Sequence, residues 1–213
     1  MFKLSIAKES LPYILVLAVI SGIIYLIFPL LSFFPISLLV FVIFFFRDPN
    51  RKIINDDKIL LSPADGRIME IKEVDEPRFI KGKAKKVSIF LSLTNVHINR
   101  SPITGEVKYR AYREGKFLPA FKSHASEINE KNYVGIENQQ LKVLVNQVTG
   151  FIARRIVCWV DNDDKVVQGE RFGLIKFGSC TEIIMPEHVE LKVKEGQKVR
   201  GGITIIGEVV GND

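Results

Sequence analysis

The sequence predicts a mainly β chain, α+β overall, in which a β domain of the sandwich or barrel kind follows an N-terminal apolar helical hairpin. Three observations predict it. No charged residue occurs between Leu11 and Phe46. That run stops at Arg47-Asp48-Pro49-Asn50-Arg51-Lys52, where charge, Pro and Asn arrive together. Beyond it, apolar and polar residues alternate with period two between turn-forming residues.

The apolar run covers roughly 36 residues, against about 20 for one helix across a hydrocarbon core. Pro29 and Pro35 interrupt it. We read two segments, Leu11–Phe28 and Leu30–Phe46, joined by a bend from Phe28-Pro29 to Pro35. A cleaved signal peptide fits poorly, because the run is long and lacks a small-residue cleavage site. A buried core hairpin would have no polar face to show water. A membrane-embedded hairpin fits best. Lys3 and Lys8 flank one end and Arg47, Arg51 and Lys52 the other. A hairpin puts both basic ends on one side, and the positive-inside tendency makes that side cytoplasmic. The expected location is therefore the cell (inner, cytoplasmic) membrane. The second segment is short enough to be re-entrant.

The domain boundary follows, with 1–52 as hairpin and basic flank and 53–213 as the β-rich domain. Ile59-Leu60-Leu61 leads into the turn Ser62-Pro63-Ala64-Asp65-Gly66. Strands are expected at 67–74, 86–93, 141–148 and 191–194, each alternating. Residues 152–160 are ambiguous, and Ile152, Ile156 and Val160 on one face favour a helix. The tail from Glu195 to Gly207 reads as a turn feeding a further strand.

The chain of 213 residues carries a net charge of +6 and a pI near 9.3. Such a balance suits an anionic lipid surface or nucleic acid. Aromatic residues interleaved with basic ones, of the kind that stack bases, are not evident, which argues against a nucleic-acid partner. Cys158 and Cys180 have no metal-ligand spacing and read as two reduced thiols. No metal is expected.

Ser62-Pro63-Ala64-Asp65-Gly66-Arg67-Ile68 and Ser101-Pro102-Ile103-Thr104-Gly105-Glu106-Val107 share the pattern Ser-Pro-x-x-Gly-x-apolar. Each reads as a Pro-containing turn before a strand. The pattern is similar to lipoyl- and biotinyl-type carrier domains, where such a turn starts each half. One functional reading is therefore a membrane-tethered, lipoyl-like carrier or adaptor module without catalysis. It lacks a carrier lysine, since neither Met-Lys-Met nor Asp-Lys-Ala occurs.

The other reading starts at Phe177-Gly178-Ser179-Cys180-Thr181-Glu182. On its own a Gly-Ser pair is most simply a β-turn. It also permits a reaction, because glycine has no Cβ to block the approach of the next hydroxyl. Attack of Ser179 Oγ on the Gly178 carbonyl converts the amide to an ester. β-Elimination then cuts the chain and leaves dehydroalanine, which hydrolyses to a pyruvoyl group with loss of ammonia. A base must start this. His97, in Asn95-Val96-His97-Ile98-Asn99-Arg100, has the pKa range for it. Asp65 reads either as an Asx-turn residue or as the group that orients and charges that histidine. His124 and His188 read as surface residues.

Ser62-Pro-Ala-Asp-Gly66, Asn95-Val-His-Ile-Asn-Arg-Ser-Pro102 and Phe177-Gly-Ser179 occur in that order behind an apolar N-terminus. This set resembles the phosphatidylserine decarboxylase proenzymes, in the short branch of bacteria and archaea, over essentially the whole chain. The resemblance implies self-cleavage into a large β chain, 1–178, and a small α chain, 179–213, held together as a heterodimer. Ser179 would become a covalent pyruvoyl cofactor that forms a Schiff base with the substrate amine. Phosphatidylserine in the membrane would lose CO₂ to give phosphatidylethanolamine, with Ser179, His97 and Asp65 catalytic and Gly178–Ser179 the cleavage site. The larger branch has two histidines three positions apart, and here the second falls on Arg100. Arg100 is then a candidate for the substrate phosphate or carboxylate, its fork suiting planar anions. Residues 127–132 also resemble the short branch, without an assignable role. Diacyl against ether lipid, and any higher homo-oligomer, stay open.

Overall fold

In a computed structural model, which describes residues 5–118, 125–150, 155–176 and 179–209, the apolar run forms two helices. Helix α1 spans Leu11–Ile27 and α2 spans Phe33–Phe45, with a 3₁₀ turn at Pro29–Ser32 between them. Pro35 falls in the first turn of α2, where its missing N–H costs nothing. The helix therefore starts at Phe33 rather than at Leu30. Within this stretch Ser21 Oγ donates to Leu17 O at 2.6 Å, Ser32 to Pro29 O at 2.6 Å and Ser37 to Phe33 O at 2.8 Å. Each hydroxyl is satisfied by its own backbone, as an apolar solvent requires. The two ends of the hairpin are tied: Ala7 N donates to Phe46 O at 2.9 Å and Asp48 N to Ser5 O at 2.7 Å. The helix Lys8–Ile27 is long and apolar enough to cross a membrane. By contacts, the chain divides into two compact units, Met1–Asn50 and Arg51–Asp213.

The second unit is mainly β, with fourteen strands and one short helix among the described residues. In chain order they are β1 (Ile59–Leu61), β2 (Gly66–Glu76), β3 (Gly82–Leu91), β4 (Ile98–Arg100), β5 (Gly105–Arg113), α3 (Ala125–Ile128), β6 (Lys131–Glu137), β7 (Lys142–Val148), β8 (Arg155–Cys158), β9 (Lys165–Val166), β10 (Arg171–Lys176), β11 (Ser179–Pro186), β12 (Val189–Leu191), β13 (Lys198–Val199) and β14 (Ile205–Val209). The large sheet runs β13-β2-β3-β11-β7-β6-β5-β9, and two small sheets run β1-β14-β12 and β4-β10-β8. All pairings between these strands are antiparallel. The core lies between the inner face of the large sheet, with Ile89, Val134, Val145 and Ile183, and side chains such as Leu60, Phe172 and Ile206 from the small sheets.

This order reads the same from both ends. Strands β4–β10 form one seven-stranded half, and β1–β3 with β11–β14 form the other. The Ser-Pro-x-x-Gly echo marks the halves. Ser62 Oγ donates to Ala64 O at 2.8 Å and Ser101 Oγ to Ile103 O at 2.6 Å. Leu61 N donates to Pro102 O at 3.0 Å, and Arg100 N to Pro63 O at 2.9 Å, so each strand leading into a turn is held by the other turn. A Cβ on Gly66 would stand 2.2 Å from Phe90 O, and one on Gly105 would stand 2.5 Å from Glu137 O. Only glycine fits at either position.

Two expectations fail. Of residues 191–194, expected in a strand, only Leu191 belongs to one, at the end of β12, and 192–194 lie beyond it. Residues 155–158, expected in a helix, form the edge strand β8, with Arg155 opposite Lys176 and Cys158 opposite Gly173. The shared face of Ile152, Ile156 and Val160 is outweighed by the open edge of β10, which accepts the β-branched pair Ile156-Val157. Residues 151–154 lie outside the described residues.

Candidate active site

Strand β10 belongs to a small sheet and β11 to the large one. In β10, Leu174 stands opposite Ile98, and Ile175 N donates to His97 O at 3.2 Å. In β11, Ser179 stands opposite Leu91. The chain therefore passes from one sheet to the other in two residues, Phe177 and Gly178, which lie outside the described residues. The link from β3 to β4, residues 92–97, joins the same two sheets. His97 and Ser179 thus flank one crossing.

The link is stiff. Asn95 Oδ1 accepts from Ser92 N at 2.9 Å and from Ser92 Oγ at 2.7 Å, while Asn95 N donates to Ser92 O at 2.9 Å. This turn presents the Asn95 carbonyl to His97 Nδ1 at 3.0 Å. A carbonyl only accepts, so Nδ1 carries the hydrogen and Nε2 is the basic nitrogen. The ring is buried.

Ser179 is fully buried, and its Oγ has no hydrogen-bond partner among the described residues. Leaving a buried hydroxyl unpaired costs about 1–3 kcal/mol. The next residue on that face, Thr181, is satisfied: Asn99 Nδ2 donates to Thr181 Oγ1 at 3.0 Å. Asn99 Oδ1 accepts from Gln147 Nε2 at 2.9 Å, and Gln147 Oε1 accepts from Asn132 Nδ2 at 2.8 Å. His97 and Asn99 share a face of their segment, as Ser179 and Thr181 share a face of β11.

Asp65 lies elsewhere. Its carboxylate takes a two-pronged ion pair from Arg51, at 2.5 Å to Oδ1 and 2.8 Å to Oδ2, and accepts from Gly201 N at 2.8 Å. Among the described residues it makes no hydrogen bond to His97. Arg100 is buried too, with Nη1 donating to Gly169 O at 3.0 Å. Asp65 and Arg100 therefore gather at one end of β4, and His97 with the β10–β11 crossing lies at the other. The three residue steps from His97 to Arg100 span about 10 Å of extended chain. His188 is exposed in the turn between β11 and β12. His124 and Gly178 lie outside the described residues.

Reading the sequence missed Asn99, Gln147 and Thr181, and left Asn132 without a role. Polar residues at inward positions, every second residue in Asn95-Val96-His97-Ile98-Asn99, are the signal that marks them. It also left 127–132 without a role. Asn129 is fully buried and bridges two segments, its Nδ2 donating to Leu118 O at 2.8 Å and to Thr149 O at 2.7 Å. Cys158 and Cys180 are both unpaired thiols. Burial, with Glu182 adding to it, pushes the Cys180 thiol far above its ordinary value, so it does not supply a thiolate.

The model of the phosphatidylserine decarboxylase family matches residues 38–207. A phosphatidylserine decarboxylase proenzyme of Carboxydothermus hydrogenoformans is 54% identical over 205 residues, covering 96% of each chain. One from Symbiobacterium thermophilum is 46% identical over 205 residues, covering 96% of this chain and 95% of its own. One from Chlorobium phaeobacteroides is 42% identical over 203 residues, covering 95% of each. The chain belongs to the phosphatidylserine decarboxylase family.

Proposed function

We propose that this chain is a self-processing proenzyme that, once cut between Gly178 and Ser179, decarboxylates phosphatidylserine to phosphatidylethanolamine at a pyruvoyl group made from Ser179. The observation that carries the reading is the buried Ser179 Oγ with no partner among the described residues, at the first position of a strand entered from glycine. A hydroxyl that must attack its neighbouring carbonyl gains nothing from a competing hydrogen bond. The position also suits the group that replaces it, because a ketone has no proton to donate and is served by a dry pocket.

His97 Nε2 takes the proton from Ser179 Oγ as that oxygen attacks the Gly178 carbonyl. The ester formed then opens by elimination, releasing the Gly178 carboxylate, and hydrolysis expels ammonia. A pyruvoyl group supplies a carbonyl that condenses with the substrate amine and takes up the electron pair set free when CO₂ leaves. The Asn95 carbonyl holds the His97 ring so that Nε2 can deliver a proton to the substrate carbon. Asp65 acts from the far end of β4, keeping Arg51 and the 201 amide against the turn whose Pro63 carbonyl binds Arg100 N. Arg100 is proposed to meet the anionic headgroup.

Cutting leaves a large chain, 1–178, and a small one, 179–213, as a heterodimer. About 35 residues are too few to fold alone, and β11 stays between β3 and β7. The apolar hairpin anchors the enzyme in the membrane, with its tied basic ends on the cytoplasmic side. Helix α2 has 13 residues, about 20 Å against a core of about 30 Å, so α2 is re-entrant rather than fully spanning.

The test is release of labelled CO₂ from phosphatidylserine labelled at the serine carboxyl. Purified protein is expected to release it, and hydroxylamine or borohydride is expected to abolish the release, because both consume a ketone or its amine adduct. Full turnover after either treatment would contradict the pyruvoyl reading.

A further inference from the structure

Strand β11 carries a buried carboxylate that the chemistry above does not use. Side chains of Ser179, Thr181 and Ile183 point inward; those of Cys180, Glu182 and Ile184 point to the outer face of the large sheet. Glu182 is 1% exposed. Its Oε1 accepts from Lys86 Nζ at 3.2 Å, and its Oε2 accepts from Lys131 Nζ at 2.9 Å and from Asn146 Nδ2 at 2.9 Å. These partners stand on three strands: β3 and β7, the two neighbours of β11, and β6 beyond. Burial pulls Lys131 below the ordinary lysine value, against the pull of Glu182. At Lys86 burial acts the same way, but Glu182 and Glu70 outweigh it and the value is raised. Glu182 is thus shared by both ammonium groups, with Glu70 a second, more exposed partner of Lys86 at 3.8 Å.

Before the cut, the covalent link through Phe177 and Gly178 helps fix where Ser179 sits. After the cut, β11 begins a new chain at Ser179, and the register of that free end rests on contacts of β11 itself. The main-chain ladder does not specify register, because a slip of two residues restores its bonds. The side chains do. A two-residue slip would bring Cys180 or Ile184 against Lys86 and Lys131 and take the buried Glu182 carboxylate away from both, while moving residue 179 by about 7 Å. Resting on the self-cleavage reading, we propose that Glu182 is a positioning residue that locks the new N-terminus of the small chain in register, so that residue 179 stays at the His97 end after cleavage.

The double variant Glu182→Met/Lys131→Met tests this. Replacing a buried ion pair with apolar side chains of similar size is often neutral for stability, but it removes the register lock. The variant is expected to cut itself and to carry the wild-type ketone content by mass. Its kcat on phosphatidylserine in detergent micelles is expected to fall about 10²-fold with KM unchanged, the scale of loss from displacing a reacting group by an ångström or more. Cutting, ketone content and kcat all at wild-type level would overturn the proposal. If the double variant does not accumulate, Glu182→Gln decides, with the same split expected at about tenfold. Loss of cutting and turnover in parallel would show a merely structural role. A wild-type protein that is itself uncut yet active would instead overturn the self-cleavage reading.

Discussion

In the second half of the β unit, β6 turns directly into β7 through residues 138–141, with Asn138 N donating to Leu141 O at 3.0 Å. In the first half the corresponding strands, β3 and β11, pair as closely, yet the chain between Leu91 and Ser179 runs out through the whole of the other half. Register places Ser179 at the position of Leu141, Thr181 at that of Val143 and Glu182 at that of Leu144. In the same way Asn99 and Arg100 stand where the first half has Leu60 and Leu61. The shared frame is apolar at these places, and each departure from it is a buried polar residue. The proposed chemistry thus uses positions at which the two halves differ. The proposed cut falls before β11, whose pairing with β3 spans the whole of the other half.

The largest test of that comparison removes its chemical pole. Ser179→Ala is expected to stay a single polypeptide and to release no CO₂, read by denaturing gel and by the labelled-carboxyl assay. His97→Ala comes next. It is expected to slow cutting by about 10²–10⁴-fold, the usual worth of a positioned base, followed as the uncut fraction over time after synthesis.

The paired turns give a graded set. Asp65 and Thr104 are equivalent, and each holds a backbone amide: Gly201 N at 2.8 Å on Asp65 and Gln168 N at 3.0 Å on Thr104. Asp65 also binds the buried Arg51 side chain, so Asp65→Ala is expected to cost about 3 kcal/mol in denaturant unfolding of the uncut Ser179→Ala protein, as breaking a buried pair does. Gly66→Ala and Gly105→Ala are expected to cost similar amounts, about 1–3 kcal/mol each, because each Cβ meets a carbonyl of the neighbouring strand. Unequal costs would break the equivalence of the halves. Thr104→Ala loses one hydrogen bond and is expected to cost about 1 kcal/mol.

Much of this frame was legible in the chain. The uncharged run, the period-two strands other than the one expected at 191–194, and the Ser-Pro-x-x-Gly echo are local patterns, and each became the element it suggested. The seven-strand repetition behind the echo was not legible, since pairings such as Ser179 with Leu91 join residues far apart in sequence. Strand β8 was misread for the same reason: its conformation is set by β10, which lies outside its own window. At the site, Gly178-Ser179 and His97 stood out as motifs. Asn99, Gln147 and Glu182 did not, because a polar residue in a strand reads as solvent-facing until the partner across the sheet is known. Asp65 was legible as a turn residue, whereas its partner Arg51 read only as part of a basic flank.

The most direct test of the central claim is the intact mass of the purified wild-type protein under denaturing conditions. Two species divided between Gly178 and Ser179 are expected, the smaller lighter by one ammonia than a fragment beginning with serine. A single unbroken chain that releases CO₂ from phosphatidylserine would contradict the account.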